Sequence, residues 1–148
     1  MTQTATLAQT VERLIASVMR QGDAVGAVPS PLSMTQALTL RTLADHGPLR
    51  LGALARLLGT TAATASRTVD ILEATQLLRR HPDPADGRGV IVELNDAGEQ
   101  WVQRRREALE DMVAELVEGM RPRDQRRFVE LLTQLNELLS RAEPARVD

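Results

Sequence analysis

At 148 residues with 43% apolar side chains, the chain has the size of one domain, or one domain with helical extensions, and can bury a core. Its longest apolar runs are a few residues, which excludes a bilayer-spanning helix, and the absence of cysteine excludes disulfides, thiolate metal sites and a cysteine-based oxidation sensor. A net charge of −2, with arginine supplying all 18 basic residues, argues against indiscriminate nucleic-acid binding.

Leu7, Val11, Leu14, Ile15, Val18 and Met19 recur at spacings of four, three, one, three and one, which predicts an amphipathic first helix over 5–21. Residues 1–20 lack the basic start and apolar centre of a secretion signal, so a cytoplasmic protein is expected. Gly22 to Pro31, with two Gly and two Pro, reads as a loop. Ser33 and Gln36 then form a capping box that opens a second helix, closed by Gly47-Pro48.

Leu54, Leu57 and Leu58 predict the apolar edge of a third helix. Ala55 is small enough for a neighbouring helix to cross closely, and Gly59 can take the positive φ of the turn that follows. Thr61 offers a hydroxyl cap to a fourth helix, whose stripe of Ala65, Val69 and Leu72 at spacings of four and three should be buried. The opposite face carries Ala63, Thr64, Ser66, Arg67 and Asp70, short polar groups plus one Arg. That is the pattern of a helix whose outer side lies in a DNA groove.

Leu77 to Pro82 and Gly89 to Leu94 read as two short strands, joined by a turn containing Asp86-Gly87. Asn95 then caps a long helix to about Met120, with Trp101, Leu109, Met112, Val113, Leu116 and Met120 on one side. Arg121-Pro122 breaks it, and Pro122 suits the first turn of a last helix carrying Phe128, Leu131, Leu132, Leu135, Leu138 and Leu139. The tail after Ala142 should be frayed. About 24 residues of long helix reach roughly 36 Å, more than one small core can cover. A helical dimer interface would cover the remaining apolar stripes; packing of the three helices as an intrachain bundle is the alternative.

Charge is unevenly spread. Residues 48–92 hold six Arg against four acids, residues 93–148 nine Arg against thirteen acids, and residues 1–47 balance. The small positive excess falls on the elements read as facing DNA. A guanidinium at the hairpin tip, Arg88, can enter a minor groove, with Asp86 placed to hold it and to shape the turn; an ordinary solvated Arg is the alternative. On the fourth helix Thr61, Thr64, Ser66 and Arg67 can serve phosphates or base edges. The simpler alternatives are that Thr61 only caps the helix and that Arg67 pairs within it, with Asp70 or Glu73. Arg79 and Arg80 are expected on phosphate or in solvent.

Other side chains suggest less. His46 at a helix end and His81 on a strand have no carboxylate pair at ligand spacing, so no metal and no cofactor is expected. Trp101 is expected to anchor the long helix on the hairpin rather than to line a ligand cavity. Arg104-Arg105-Arg106 spans three helix faces and reads as solvated, salt-bridged surface. No nucleophile, base and oxyanion set can be assembled, so the chain is not expected to be an enzyme.

The run Leu54-Ala55-Arg56-Leu57-Leu58-Gly59, then Thr64-x-Ser66-Arg67-x-Val69-Asp70-x-Leu72-Glu73, resembles the MarR family of winged-helix transcription regulators. The likeness continues through Leu77, Arg79-Arg80, Asp83-Pro84, Asp86-x-Arg88 and Leu94-Asn95-Asp96-Ala97-Gly98. Its specific part is Asp-x-Arg followed by an apolar strand and a Gly-containing helix start. The resemblance implies a mainly α protein with a small β-hairpin wing (α+β), a single MarR-like domain over 1–148. Within it, residues 33–95 would be a winged helix-turn-helix core, and helices over 5–21 and 96–141 would dimerise. It also implies a homodimer on double-stranded DNA, at an inverted-repeat operator, with Thr61, Ala63, Thr64, Ser66, Arg67, Asp86 and Arg88 at the DNA.

A repressor released by a small, often aromatic or phenolic, ligand is the implied function. The alternative is a winged-helix protein-interaction module without DNA binding, for which acidic residues would be expected in place of Arg67 and Arg88. Two features depart from the family pattern. Gln76 stands where Gly commonly ends the recognition helix, and Arg50 and Ala53 replace the hydroxyl and Glu of a capping box before the third helix.

Overall fold

A computed structural model describes residues 2–20 and 32–141. The expected loop at 22–31 and the tail after 142 lie outside the described residues, as do the side chains of Ile15, Val18, Met19 and Leu139. The described elements are α1 (Gln3–Arg20), α2 (Met34–His46), β1 (Leu49–Arg50), α3 (Leu51–Leu57), α4 (Ala62–Ala74), β2 (Leu78–Asp83), β3 (Asp86–Leu94), α5 (Asp96–Val117) and α6 (Pro122–Arg141). They fall into two compact units, Met1–Glu110 and Asp111–Asp148.

In the first unit, α2 opens on the expected capping box. Gln36 N–H donates to Ser33 Oγ at 3.3 Å while Ser33 N–H donates to Gln36 Oε1 at 2.8 Å. Gly47 ends the helix at φ 74 and its N–H returns to the Leu43 carbonyl. The chain then forms β1, a two-residue strand absent from the sequence-based expectation. It pairs antiparallel with β3, Leu49 opposite Val92 and Arg50 opposite Ile91, so the expected hairpin belongs to a three-stranded sheet of order β1-β3-β2.

The core gathers Leu40 and Leu43 of α2, Leu54 of α3, Val69 and Leu72 of α4, Leu78 of β2, Val92 of β3 and Val102 of α5. Removal of this apolar surface from water is the main force joining helices to sheet. The stripe expected on α4 is buried as read. On α3 the expected edge divides: Leu54 is buried and Leu58 packs on the core, but Leu57 is 50% exposed. At 3.6 residues per turn, position i+4 lies nearer the azimuth of Leu54 than i+3, so Leu58 turns inward and Leu57 does not. Three buried threonines, Thr39, Thr42 and Thr68, donate their hydroxyls to the carbonyl four residues back, at 2.8, 2.9 and 3.1 Å. Those bonds remove the cost of an unpaired buried hydroxyl.

Both helices of the helix-turn-helix end in the same backbone motif. After α3, Gly59 takes φ 62 while Thr60 N–H reaches the Ala55 carbonyl at 3.0 Å. After α4, Gln76 takes φ 59 and Leu77 N–H reaches the Leu72 carbonyl at 3.0 Å. The departure noted at Gln76 is therefore a side chain held in a conformation that favours glycine. Asn95 joins this end to α5: its Nδ2 donates to the Gln76 carbonyl at 2.7 Å and its Oδ1 accepts from Gly98 N–H at 2.9 Å. A Cβ on Gly98 would stand 1.9 Å from the Leu77 carbonyl oxygen, so only glycine fits there.

Trp101 packs on the core that α2 and the hairpin share, and with Ala37 and Arg41 of α2 it lines a cleft of about 60 Å³. Arg105 lies 5.5 Å above its ring and Arg106 lies 3.9 Å from Asp45 of α2. The arginine run is thus partly engaged with its own unit. In the second unit α5 ends at Val117, earlier than expected, and α6 begins at Pro122 as read. Gln125 Nε2 donates to the Val117 and Met120 carbonyls, both at 3.1 Å, which satisfies orphan acceptors at the helix end.

Candidate nucleic-acid interface

Thr61 has the extended backbone of an N-cap and its Oγ1 accepts from Thr64 N–H at 3.2 Å. The same hydroxyl donates to Thr64 Oγ1 at 3.0 Å, so the two hydroxyls are brought together at the start of α4. Ala63, Thr64, Arg67 and Asp70 are exposed on its outer face, whereas Ser66 is half-buried. Ser66 and Asp70 also serve a role that the sequence did not suggest. Arg80 of β2 donates through Nη2 to the Ser66 carbonyl at 3.0 Å and to Asp70 Oδ1 at 2.6 Å, and its Nε lies 3.9 Å from Glu73.

The expectation of Arg80 on phosphate or in solvent is corrected: its side chain is 25% exposed and clamps the hairpin to α4. Arg79 is likewise engaged, pairing at 2.5 Å with Glu93, which stands directly opposite on β3. The Arg79 guanidinium holds the Glu93 carboxyl below its ordinary range, with His81 3.5 Å from the same oxygen. Because Arg80 occupies Asp70 and Glu73, the alternative that Arg67 pairs within α4 does not hold. Among the described residues no carboxylate lies within ion-pairing distance of Arg67.

The hairpin turns at Pro84-Ala85, not at Asp86-Gly87 as expected. Asp83 Oδ1 accepts from Ala85 N–H at 2.9 Å, and proline presets φ at the residue after Asp83, which together favour a turn two residues earlier. Pairing passes from Pro82 opposite Val90 to Asp83 opposite Asp86, leaving Gly87, Arg88 and Gly89 as a bulge of β3. A Cβ on Gly89 would press on Asp83 Cβ at 3.1 Å and the Asp86 carbonyl at 3.3 Å, so the bulge favours glycine. Asp86 Oδ1 accepts from Arg88 N–H at 3.2 Å. Asp86 therefore shapes the tip through the backbone, and the expectation that it holds the guanidinium is corrected. Among the described residues Arg88 has no acidic partner.

Sequence reasoning also missed the base of the hairpin. The Asp83 side chain is 8% exposed and is bonded by the guanidinium of Arg50. The Ala85 N–H first, then Arg50, hold the Asp83 carboxyl below its ordinary value against the opposing effect of burial. Arg50 gives α3 no side-chain cap; instead it ties β1 to the hairpin, so the departure from a capping box carries a different contact. Arg56, exposed on α3, also has no acidic partner among the described residues.

The described surface of this unit therefore pairs a helix bearing short side chains and an unpaired Arg with a glycine-flanked Arg on a bulge. A helix of roughly 10–12 Å diameter fits the major groove, and a protruding guanidinium suits the narrow, negative minor groove. His46 Nδ1 donates to the Thr42 carbonyl at 3.0 Å. No helix among the described residues is long and apolar enough to cross a membrane.

The model of the MarR family matches residues 32–90. The HTH-type transcriptional regulator YxaD of Bacillus subtilis is 33% identical over 109 residues, 71% of this chain and 73% of its own. The HTH-type transcriptional regulator Mb0904 of Mycobacterium bovis is 34% identical over 86 residues, 58% of this chain. The HTH-type transcriptional repressor NicR of Pseudomonas putida is 40% identical over 67 residues, 45% of this chain. This chain spans 60% of the length of the mycobacterial relative and 42% of that of NicR.

Among solved structures, RV1404 of Mycobacterium tuberculosis superposes with a TM-score of 0.76 at 29% identity, covering 90% of either chain. BpsR of Bordetella bronchiseptica, whose DNA binding is regulated by 6-hydroxynicotinic acid, superposes with a TM-score of 0.63 at 25% identity, covering 86% of this chain and 98% of its own.

Proposed function

The chain belongs to the MarR family, and from that premise we propose that it is a dimeric, sequence-specific DNA-binding regulator of transcription, not an enzyme. It acts in the cytoplasm as a repressor, released from its operator by a small, often aromatic or phenolic, ligand. One observation carries the DNA reading. Among the described residues neither Arg67 nor Arg88 is paired with an acid, while Asp70, Glu73 and Asp86 beside them are engaged elsewhere. Residues 33–95 form the DNA-binding core, and the helices over 5–21 and 96–141 form the dimer interface.

Thr61, Ala63, Thr64, Ser66 and Arg67 face the major groove, and Arg88, on the bulge shaped by Asp86, enters the minor groove. A two-fold dimer presents its recognition helices about one helical turn, roughly 34 Å, apart, which calls for an inverted repeat. Repression is supported by the likeness to NicR, a repressor, and ligand release by the likeness to BpsR, whose DNA binding is regulated by a small hydroxylated aromatic acid. Genomic DNA selection followed by footprinting tests the reading. An inverted repeat with two protected half-sites is expected; recovery of single, asymmetric half-sites alone would count against it.

A further inference from the structure

We infer that the cleft between α3 and the hairpin seats a phosphodiester of the bound DNA backbone, with Arg56 as its main cation; this rests on the DNA-binding reading above. Arg50, Arg56 and Arg88 line a cleft of about 440 Å³, together with the small residues Gly52, Ala53 and Gly89. Among the described residues no carboxylate lines it. The acid beneath it, Asp83, is buried and satisfied by Arg50 and by the Ala85 amide. Arg50 remains half-exposed with further N–H donors on its fork, and Arg56 and Arg88 carry charge that no described acid neutralises.

Position identifies the ligand. With α4 in the major groove and Arg88 in the adjoining minor groove, the strand that separates the two grooves must pass between these elements. The cleft is lined by α3, the first helix of the helix-turn-helix, which crosses the backbone when the second helix enters the major groove, and by Arg88 at the hairpin tip. Arg56 and the free donors of Arg50, set among small side chains, let a phosphate approach closely and accept charge-assisted hydrogen bonds, while Arg88 on the rim reaches on into the minor groove. Arg56 is thus a positioning contact that fixes the register of the protein on the duplex and reads no sequence.

The test titrates the full chain with the selected operator and with a scrambled duplex, each at several salt concentrations. Arg56→Ala should weaken both complexes about tenfold and lower the slope of log K against log salt by about 0.9, one phosphate contact. Gly52→Glu should weaken both as well, and Gly52→Gln should bind far better than Gly52→Glu. A Cβ at Gly52 meets nothing within 4 Å, so neither side chain disturbs the packing, and matching thermal melts verify this.

Unchanged affinity and slope for Arg56→Ala overturn the proposal, as does equal weakening by Gln and Glu at position 52. Calorimetric titration with inorganic phosphate alone should give no saturable binding; saturation abolished by Arg56→Ala would reassign the cleft to a free anion. A wild-type protein that binds neither duplex removes the regulator reading itself, whereas binding indifferent to the variants removes only the phosphate seat.

Discussion

Gln76 holds a backbone conformation that an L side chain adopts at a cost of about 1–2 kcal/mol, because its Cβ crowds the neighbouring carbonyl. Replacement by glycine relieves that crowding but gives back roughly 0.4–1 kcal/mol through the greater freedom of the unfolded chain. Gln76→Gly should therefore stabilise the fold by about 0.5–1 kcal/mol, read as a higher denaturant midpoint at constant slope, while Gln76→Ala should leave the midpoint nearly unchanged. The contacts that use Gln76 come from its backbone, so no partner is lost in either variant.

Arg88 invites a different comparison. Its side chain is exposed on a bulge and holds no partner among the described residues, so Arg88→Ala should leave the melting temperature intact. Operator affinity should fall by about 1–3 kcal/mol per site and the salt dependence should weaken. Arg67→Ala should instead shift which bases are preferred at the half-site centre. Equal affinities of both variants and the wild type on operator and scrambled duplexes would favour the protein-interaction reading.

At the scale of elements, the hairpin is clamped from two sides. Arg80 fastens β2 to α4, and Arg50 fastens the β1–α3 corner to Asp83 at the base of the turn. Asp83 and Glu93 both have folded-state values below their ordinary 3.8 and 4.5. A lowered carboxyl contributes stability that is fully present above the ordinary value and is lost as pH falls through the folded value. Thermal melts from pH 6 downward should stay level until the pH approaches 4.5, then drop. The drop should be shallower in Asp83→Asn with Glu93→Gln, which starts from a lower plateau; superimposable curves would show that neither carboxyl matters.

The junction of α4 and α5 is tighter still. Gly98→Ala must push a methyl group into the Leu77 carbonyl, and should cost about 2–3 kcal/mol in chemical denaturation. A change below a few tenths would contradict the geometry.

For the whole molecule, the question is what covers the exposed apolar side chains. Leu7, Val11 and Leu14 of α1 are exposed in the first unit, and Phe128, Leu131, Leu132, Leu135 and Leu138 of α6 in the second. Each helix leaves a stripe that its own unit does not bury, which is the condition for association with a second copy. Light scattering at micromolar concentration should give a dimer, and Leu131→Asp with Leu135→Asp should give a monomer that keeps its helical content. A monomeric wild type would sink the dimer and, with it, the inverted-repeat operator.

Legibility in the sequence followed the distance over which a contact acts. The capping box of Ser33 and Gln36, the Gly59 turn, the Thr61 cap, the stripe of Ala65, Val69 and Leu72 and the Pro122 start all depend on neighbours within about one helical turn, so residue spacing alone declares them. The Asp-x-Arg hairpin carried the family likeness for the same local reason. Tertiary structure alone decided the fate of the charges. Sequence offered Arg67 the acids Asp70 and Glu73, and offered Arg88 the acid Asp86. Folding gave the first two to Arg80 and turned Asp86 to a backbone amide.

The two-residue β1, the Arg50–Asp83 tie and the shift of the turn to Pro84-Ala85 were hidden likewise, since each needs partners remote in the chain. A guanidinium can choose among several carboxylates, and which one it meets is set by the packing of strands and helices around it, not by its place in the sequence.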